Sequence, residues 1–169
     1  DRSRIHYYRK IRERVSHVAP FLKFDRDPYL VASNGKLQWI LDAYTVSDRY
    51  PYSKPVAKIQ TEPEEKIEQL ASENINYIRN SVKVLIDAYD GTMQFFAIDE
   101  SDPILRTYSK IFPHLFASSQ AIPPEIKAHF RYPLDLFDMQ VQIYLTYHMS
   151  EPEVFYNRED LWQFPKQIY

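Results

Sequence analysis

Glycine is scarce in this chain of 169 residues, which contains only Gly35 and Gly91. Average usage of about 7% would give about a dozen. A dinucleotide-binding loop needs three closely spaced glycines, a phosphate-binding P-loop needs two, and a nucleophile elbow needs one on each side of its serine. Because the two glycines are 56 positions apart, the chain can form none of these loops.

Both glycines lie at strong hairpin signals. Asn34-Gly35 separates the β-prone residues 29–33 from the alternating residues 36–45, and Asp90-Gly91 separates residues 82–88 from residues 92–98. We expect each glycine to adopt the positive φ of a primed hairpin turn. Two hairpins predict an antiparallel sheet of about four strands.

Helical patterns occupy both ends of the chain. Apolar residues recur every three or four positions over residues 3–19, and prolines open further patterns at residues 103–112, 123–130 and 133–149. Asp102 is placed to cap the second of these helices. Residues 133–149 carry two apolar rows, so we expect this helix to be central. Residues 157–160 resemble the capped start of a final turn.

The elements together predict an α+β fold, in which an antiparallel sheet of about four strands from two hairpins packs against helices. We interpret residues 1–169 as a single domain or a fragment of one. Residues 54–73 are polar and predict an insertion or linker, with a short helix from Glu64 towards Ile78. The chain starts at Asp1 without a Met, which indicates a segment of a longer protein.

Composition removes several kinds of chemistry. With no cysteine there is no disulfide, thiol nucleophile or iron–sulfur site. The net charge of −2 gives no basic field for nucleic acid. No two of the five histidines have the i, i+4 spacing of a helical zinc site, and His148 falls on an apolar stripe that favours a core position. We therefore expect no metal, no cofactor and no nucleic-acid partner.

Two carboxylates occur in similar contexts. Residues 40–44 and 85–89 share the pattern of two aliphatic residues followed by Asp-Ala-Tyr, which places Asp42 and Asp87 at equivalent positions. If the two strands are neighbours, the carboxylates could form a close pair with split pKa values, as acid/base catalysis requires. Alternatively, each Asp could bond a backbone N–H or a tyrosine hydroxyl.

A short aromatic loop is the candidate binding element. Arg49, Tyr50 and Tyr52 surround Pro51 in a segment that proline stiffens. Exposed tyrosines on a stiff segment can anchor a partner or stack on a sugar ring. The alternative is that these rings pack against the protein's own body.

The chain resembles the bacterial multi-pass membrane proteins of uncharacterised protein family 0182. The motifs that carry the resemblance occur in the same order along nearly the whole chain. They are WILDAYT (39–45), RYPYS (49–53), NYIRNSVK (76–83), IDAYDG (86–91), DPI (102–104), IFP (111–113), RYP (131–133), DLF (135–137), YHM (147–149) and VFYNREDLW (154–162).

The resemblance implies a membrane-anchored parent protein with a large region outside the cytoplasm, to which this chain would belong. It would place the chain at the extracytoplasmic side of a bacterial cell membrane, anchored through the rest of the parent. It implies no established activity and no catalytic residue.

These observations favour a non-catalytic extracytoplasmic interaction or ligand-binding domain. Its partners would be the remainder of the parent protein and an envelope protein or a cell-wall ligand. One alternative is a cell-envelope hydrolase or transferase that uses Asp42 and Asp87. The other is a purely structural part of a larger extracytoplasmic assembly, which exposed apolar patches would support.

Overall fold

A computed structural model describes residues 7–59 and 74–162 of the chain. The fold is α+β and has one sheet with helices on both of its faces. The strands are β1 (Lys23–Phe24), β2 (Tyr29–Ser33), β3 (Lys36–Ser47), β4 (Tyr77–Asp87), β5 (Met93–Ala97) and β6 (Phe116–Ser118). The helices are α1 (Ile11–Val18), α2 (Pro103–Ile111), α3 (Pro124–Lys127), α4 (Leu134–Tyr147) and α5 (Pro152–Asn157).

The sheet is larger than the sequence predicts. It has six strands in the order β1-β3-β4-β5-β6, and β2 pairs with the same edge of β3 as β1 does. The β5–β6 pair is parallel, whereas the other pairs are antiparallel. The prediction of about four antiparallel strands was wrong on both points. The strands that it missed have two and three residues, too few for an alternating pattern to be visible.

Both predicted hairpins are confirmed. In the β2–β3 turn, Asn34 has φ +50° and Gly35 has φ +72°, as a type I′ turn requires. The β4–β5 connection has five residues, 88–92, and of these only Gly91, at φ +73°, has a positive φ, so the primed two-residue turn predicted there is wrong although the positive φ is confirmed. Arg14 Nη1 donates to the carbonyl of Gly91 at 2.9 Å, so α1 is attached to this hairpin tip.

The sheet buries both faces. Val15 of α1 and Leu105 of α2 cover one face, where they join Leu41 and Val84 in one apolar cluster. The opposite face has a second cluster, which includes Ile126 of α3. Because both faces are covered, β3 and β4 each have six consecutive buried residues rather than an alternating pattern.

Three predicted helix boundaries were wrong. Helix α1 begins at Ile11 instead of residue 3; residues 7–10 are not helical, and residues 1–6 lie outside the described part. Ile78 belongs to β4, so a helix from Glu64 cannot reach it. Residues 60–73 lie outside the described part. Asn157 is the last residue of α5 and does not cap a new helix. Arg158 ends α5 with φ +55°, in the left-handed region, and residues 158–160 form the turn that follows.

Helix α4 is not central, which contradicts the sequence prediction. Its buried residues are Asp135 and Met139. Phe137 is 47% exposed and Tyr144 is 60% exposed, although both belong to the stripe that the sequence assigns to the core. Met139 and Ile143 pack in a cluster with Val46 of β3 and Ile78 of β4, whereas Phe137 and Tyr144 lie on the exposed side of the helix.

Candidate functional site

The candidate binding loop, residues 49–53, lies at the end of the sheet opposite the hairpin tips. It follows β3, and Asn76, the residue before β4, holds it in place. Asn76 Oδ1 accepts the Tyr50 N–H at 3.0 Å, and its Nδ2 donates to the Tyr50 carbonyl at 2.8 Å. Ser53 Oγ donates to the Asn76 carbonyl at 2.8 Å. These three bonds fix the backbone of the loop on both sides of Pro51.

The two loop tyrosines differ in their surroundings. The Tyr50 ring stacks on Tyr77 with centroids 5.5 Å apart, while half of the residue stays exposed. Burial, and a hydrogen bond to Asp102, raise the pKa of the Tyr77 hydroxyl to about 12. Tyr52 is fully exposed and adopts φ +58°. A non-glycine residue in this region costs about 1–2 kcal/mol, so the clamped loop holds Tyr52 in a strained position.

Arg49 completes the predicted trio. Its side chain is 91% exposed, and its Nε lies 3.8 Å from Asp48 Oδ1. The structure therefore places Arg49, Tyr50 and Tyr52 together on one exposed loop. Such a loop can present two aromatic rings and a guanidinium to a partner surface without reorganising.

Asp42 and Asp87 are not neighbours. Asp42 pairs with Lys83 across the β3–β4 ladder, whereas Asp87 pairs with Gln38. They project from the same face but are separated by four residues, about 13 Å along the strand. Asp87 Oδ1 accepts backbone N–H groups of the hairpin turn, from Tyr89 at 2.8 Å. The register therefore removes the geometric basis for a carboxylate pair.

Asp87 instead lines a groove between the two hairpin tips. The groove is formed by Gly35, Lys36 and Leu37 of one tip and by residues 87–90 of the other. Asp42 and the two loop tyrosines are not part of this groove. Its walls are the exposed ends of the two hairpins, and Tyr89 extends from it into solvent.

Asp42 forms a buried ion pair with Lys83. Both residues are more than 95% buried, and Asp42 Oδ1 also accepts from Asn80 Nδ2 at 3.0 Å. Burial raises the pKa of the Asp42 carboxyl, and Lys83 opposes this shift. The Lys83 ammonium also donates to the Arg131 carbonyl at 3.3 Å and lies 4.8 Å from the centre of the Phe130 ring.

A second cluster of buried carboxylates, Asp25 and Asp135, lies next to this pair. Asp25 Oδ2 accepts the Tyr44 hydroxyl and the Asp135 N–H, the latter at 2.8 Å. Asp135 in turn accepts the Arg26 N–H at 3.0 Å, and its other oxygen lies 3.2 Å from Arg26 Nη1. The backbone of Asp25 joins β3 through its N–H, which donates to the Asp42 carbonyl at 2.9 Å. These bonds attach the start of α4 to the sheet.

Asp135 makes stability depend on pH. Burial, and then the nearby Asp25 carboxylate, raise its pKa to about 6, compared with about 4 in an unfolded chain. The folded state therefore binds the Asp135 proton more tightly than the unfolded chain does. The stability that this bound proton contributes is lost as pH rises from about 4 through about 6. We expect the free energy of unfolding to fall by about 2–3 kcal/mol over this window.

Urea unfolding at half-unit steps from pH 4 to pH 7.5 measures this slope. The variant Asp135→Asn keeps an oxygen acceptor for Arg26 but has no proton to lose, so its slope should be much smaller. An equal slope in the two proteins would contradict the assignment to Asp135.

Sequence reasoning did not identify the members of these buried networks. Lys83 stands alone in an apolar run, and Asp25 lies among other charged residues, so neither has a motif. A lone lysine inside the apolar run of residues 82–86 is the one signal that could have indicated a buried pair. His148 is partly buried and lies outside the core clusters, contrary to the expected core position. Its ring stacks on that of Trp162 with centroids 3.8 Å apart, and its Nε2 lies 3.6 Å from Asp160 Oδ2. Within the described ranges, no three His, Asp or Glu side chains group as a metal ion requires.

The fold and the candidate site together define the type of protein: an α+β domain that presents a clamped aromatic loop at one end of its sheet. The family model for Uncharacterised protein family (UPF0182) matches residues 1–168. The chain therefore belongs to this family.

Curated relatives agree with this assignment. UPF0182 proteins of Trichodesmium erythraeum, Methanospirillum hungatei and Pelotomaculum thermopropionicum are 61%, 51% and 49% identical to the chain. The aligned regions cover 100%, 99% and 99% of this chain, but only 19%, 18% and 17% of the relatives. The chain thus spans less than a fifth of the length of these relatives and corresponds to a segment of a larger protein. No solved structure matches it.

Among residues 7–59 and 74–162, no helix has both the length and the apolar character that a membrane crossing needs.

Proposed function

We propose that this chain is a non-catalytic binding domain on the extracytoplasmic side of a membrane-anchored protein, and that it contacts its partner through residues 49–53. The observation that carries the proposal is Tyr52, which is fully exposed and held at φ +58° by a clamped loop. A strained, solvent-exposed aromatic residue has no role in packing the described part of the fold. Strain of this kind is often retained at functional positions.

The loop suits recognition because its geometry is preformed. Three hydrogen bonds between Asn76 and the loop hold the backbone before any partner arrives. Binding then costs little ordering of the loop, and tyrosine is among the residues that most often dominate interfaces. The fitting partner is an envelope protein or a cell-wall glycan with a cleft that accepts an aromatic ring.

The extracytoplasmic placement rests on the family resemblance. The alternative of a carboxylate-dependent hydrolase is not proposed, because Asp42 is paired with Lys83 and Asp87 bonds the hairpin turn.

The test uses soluble cell-wall glycan–peptide fragments and a ¹⁵N-labelled chain observed by NMR. We expect amide shifts to change at residues 49–53 and at Asn76 and Tyr77. Tyr52→Gly keeps the left-handed backbone while it removes the ring, and it should weaken binding at least about tenfold.

Tyr89→Ala is the matched control, since Tyr89 is 96% exposed at the other end of the sheet. It should bind like the wild type. Two results would reject the proposed site: binding that Tyr52→Gly leaves unchanged, or no binding to either wall fragments or purified envelope proteins.

A further inference from the structure

Helix α4 has two apolar rows with different surroundings. Met139 and Ile143 pack with Val56 and Ile75 in a cluster near the binding-loop end of the sheet. Phe137 and Tyr144 lie on the other side, where they are 47% and 60% exposed. Within residues 7–59 and 74–162, no cluster of buried residues covers this second side of α4, which is therefore an unpartnered face of the described part.

The unpartnered face continues beyond α4. The Tyr147 ring contacts Phe155 of α5 at 5.4 Å, and the Trp162 ring lies 5.9 Å from that of Tyr144. Each of these rings is at least one third exposed. We call this surface the aromatic face, formed by Leu134, Phe137, Tyr144, Tyr147, Phe155 and Trp162. Contiguous exposed apolar surface of this kind marks an interaction site, whereas single exposed residues do not.

The charge around the aromatic face indicates its occupant. Helix α4 contains no Lys or Arg, and residues 148–162 contain four acidic residues and a single basic one, Arg158. An anionic lipid surface would be repelled, because lipid-binding surfaces of this kind carry clusters of Lys and Arg. The complementary occupant is a protein surface with apolar side chains bordered by basic ones.

The same polypeptide is long enough to supply such a surface. The chain covers only 17–19% of the three relatives described above, so more than four fifths of each of those proteins lies outside the matched segment. We propose that the aromatic face docks against another region of the same polypeptide, one with an apolar and basic surface. This contact is intramolecular and uses residues other than the binding loop, so it stands independently of the partner proposed above.

Photo-crosslinking in the full-length protein tests the proposal. A benzophenone amino acid replaces Phe137 in one variant and Tyr147 in another, and Tyr89 serves as the matched control because it is equally aromatic and is 96% exposed. After irradiation and proteolysis, mass spectrometry should find Phe137 and Tyr147 crosslinked to peptides outside these 169 residues. The yield at Tyr89 should be at least about fivefold lower.

Three results would overturn the proposal: crosslinks to lipid, to a different protein, or no crosslink above the Tyr89 level. A mixture of ¹⁴N- and ¹⁵N-labelled protein separates contacts within one chain from contacts between two copies, and contacts between copies would also overturn it. Glu151→Lys with Glu153→Lys should reduce the Tyr147 yield severalfold, because the partner surface is basic. An unchanged yield would contradict the proposed charge of that surface.

Discussion

Replacement of Lys83 by Met is expected to lower the free energy of unfolding by about 3–5 kcal/mol, the usual cost of breaking a buried ion pair from one side. Lys83 is 4% exposed and Asp42 is 2% exposed, so the remaining carboxylate cannot regain water. Its remaining polar contact would be the Asn80 amide at 3.0 Å. Urea unfolding at pH 7 measures the loss. The loss should shrink towards pH 5, because an unpaired, buried carboxyl takes up a proton more readily.

Two matched variants separate charge from packing. Asp42→Asn combined with Lys83→Met removes both charges and should recover most of the stability that the single variant loses. Lys36→Met alters an exposed lysine of the same strand pair and should change stability by less than about 0.5 kcal/mol. A typical point variant lowers the free energy of unfolding by about 1 kcal/mol. If Lys83→Met lowered it by no more than that, the ion pair would not be important for stability.

Replacement of Asp102 by Ala is expected to cost about 2–4 kcal/mol, from two sources. Asp102 Oδ1 accepts the Ile104 N–H at 3.0 Å as the N-cap of α2, a cap that contributes about 1 kcal/mol. Asp102 Oδ2 accepts the hydroxyls of Thr45 and Ser81, the latter at 2.6 Å, and both residues are fully buried. These hydroxyls would lose their acceptor, which costs about 1–3 kcal/mol.

The hydrogen bonds from Ser81, Thr45, Ile104 and Tyr77 outweigh burial and lower the pKa of Asp102. Its stabilising effect is therefore present above pH 4 and is lost as pH falls below the unfolded value of about 4. Asp102→Ala should remove this acid sensitivity as well as the stability at pH 7. Asp48→Ala, at an exposed position, is the control and should have little effect. A loss of equal size in both variants would contradict the network.

Local patterns predicted the parts of the fold that local chemistry controls. Asn34-Gly35 defined the first hairpin because only a few residues tolerate two successive positive φ angles. Asp102 and Pro103 located the start of α2, since the cap and the proline act within one turn. Strands β1 and β6 form because they pair with β3 and β5, which lie far from them in sequence. Segments of two or three residues are too short to show a pattern of their own.

The candidate site follows the same rule: residues that are adjacent in sequence could be predicted, whereas residues that the fold brings together could not. Residues 49–53 could be chosen as a candidate binding loop because proline and tyrosine adjoin in sequence. Asp25 and Asp135, by contrast, are 110 positions apart and meet only through the tertiary fold. Helix α4 was misassigned because periodicity shows that a helix has an apolar row but does not show what covers it.

The buried pair of Asp42 and Lys83 has a consequence for how the two hairpins find their alignment. Strands β3 and β4 each bury six consecutive residues, so apolar alternation cannot select one pairing over its neighbours. A slip by two residues would place Asp42 opposite Ser81 or Leu85 and leave two buried charges without partners. Strands β3 and β4 are separated by 29 residues along the chain, so no two-residue hairpin turn fixes their pairing. The ion pair of Lys83 and Asp42 thus favours one alignment of β3 with β4 over its neighbours.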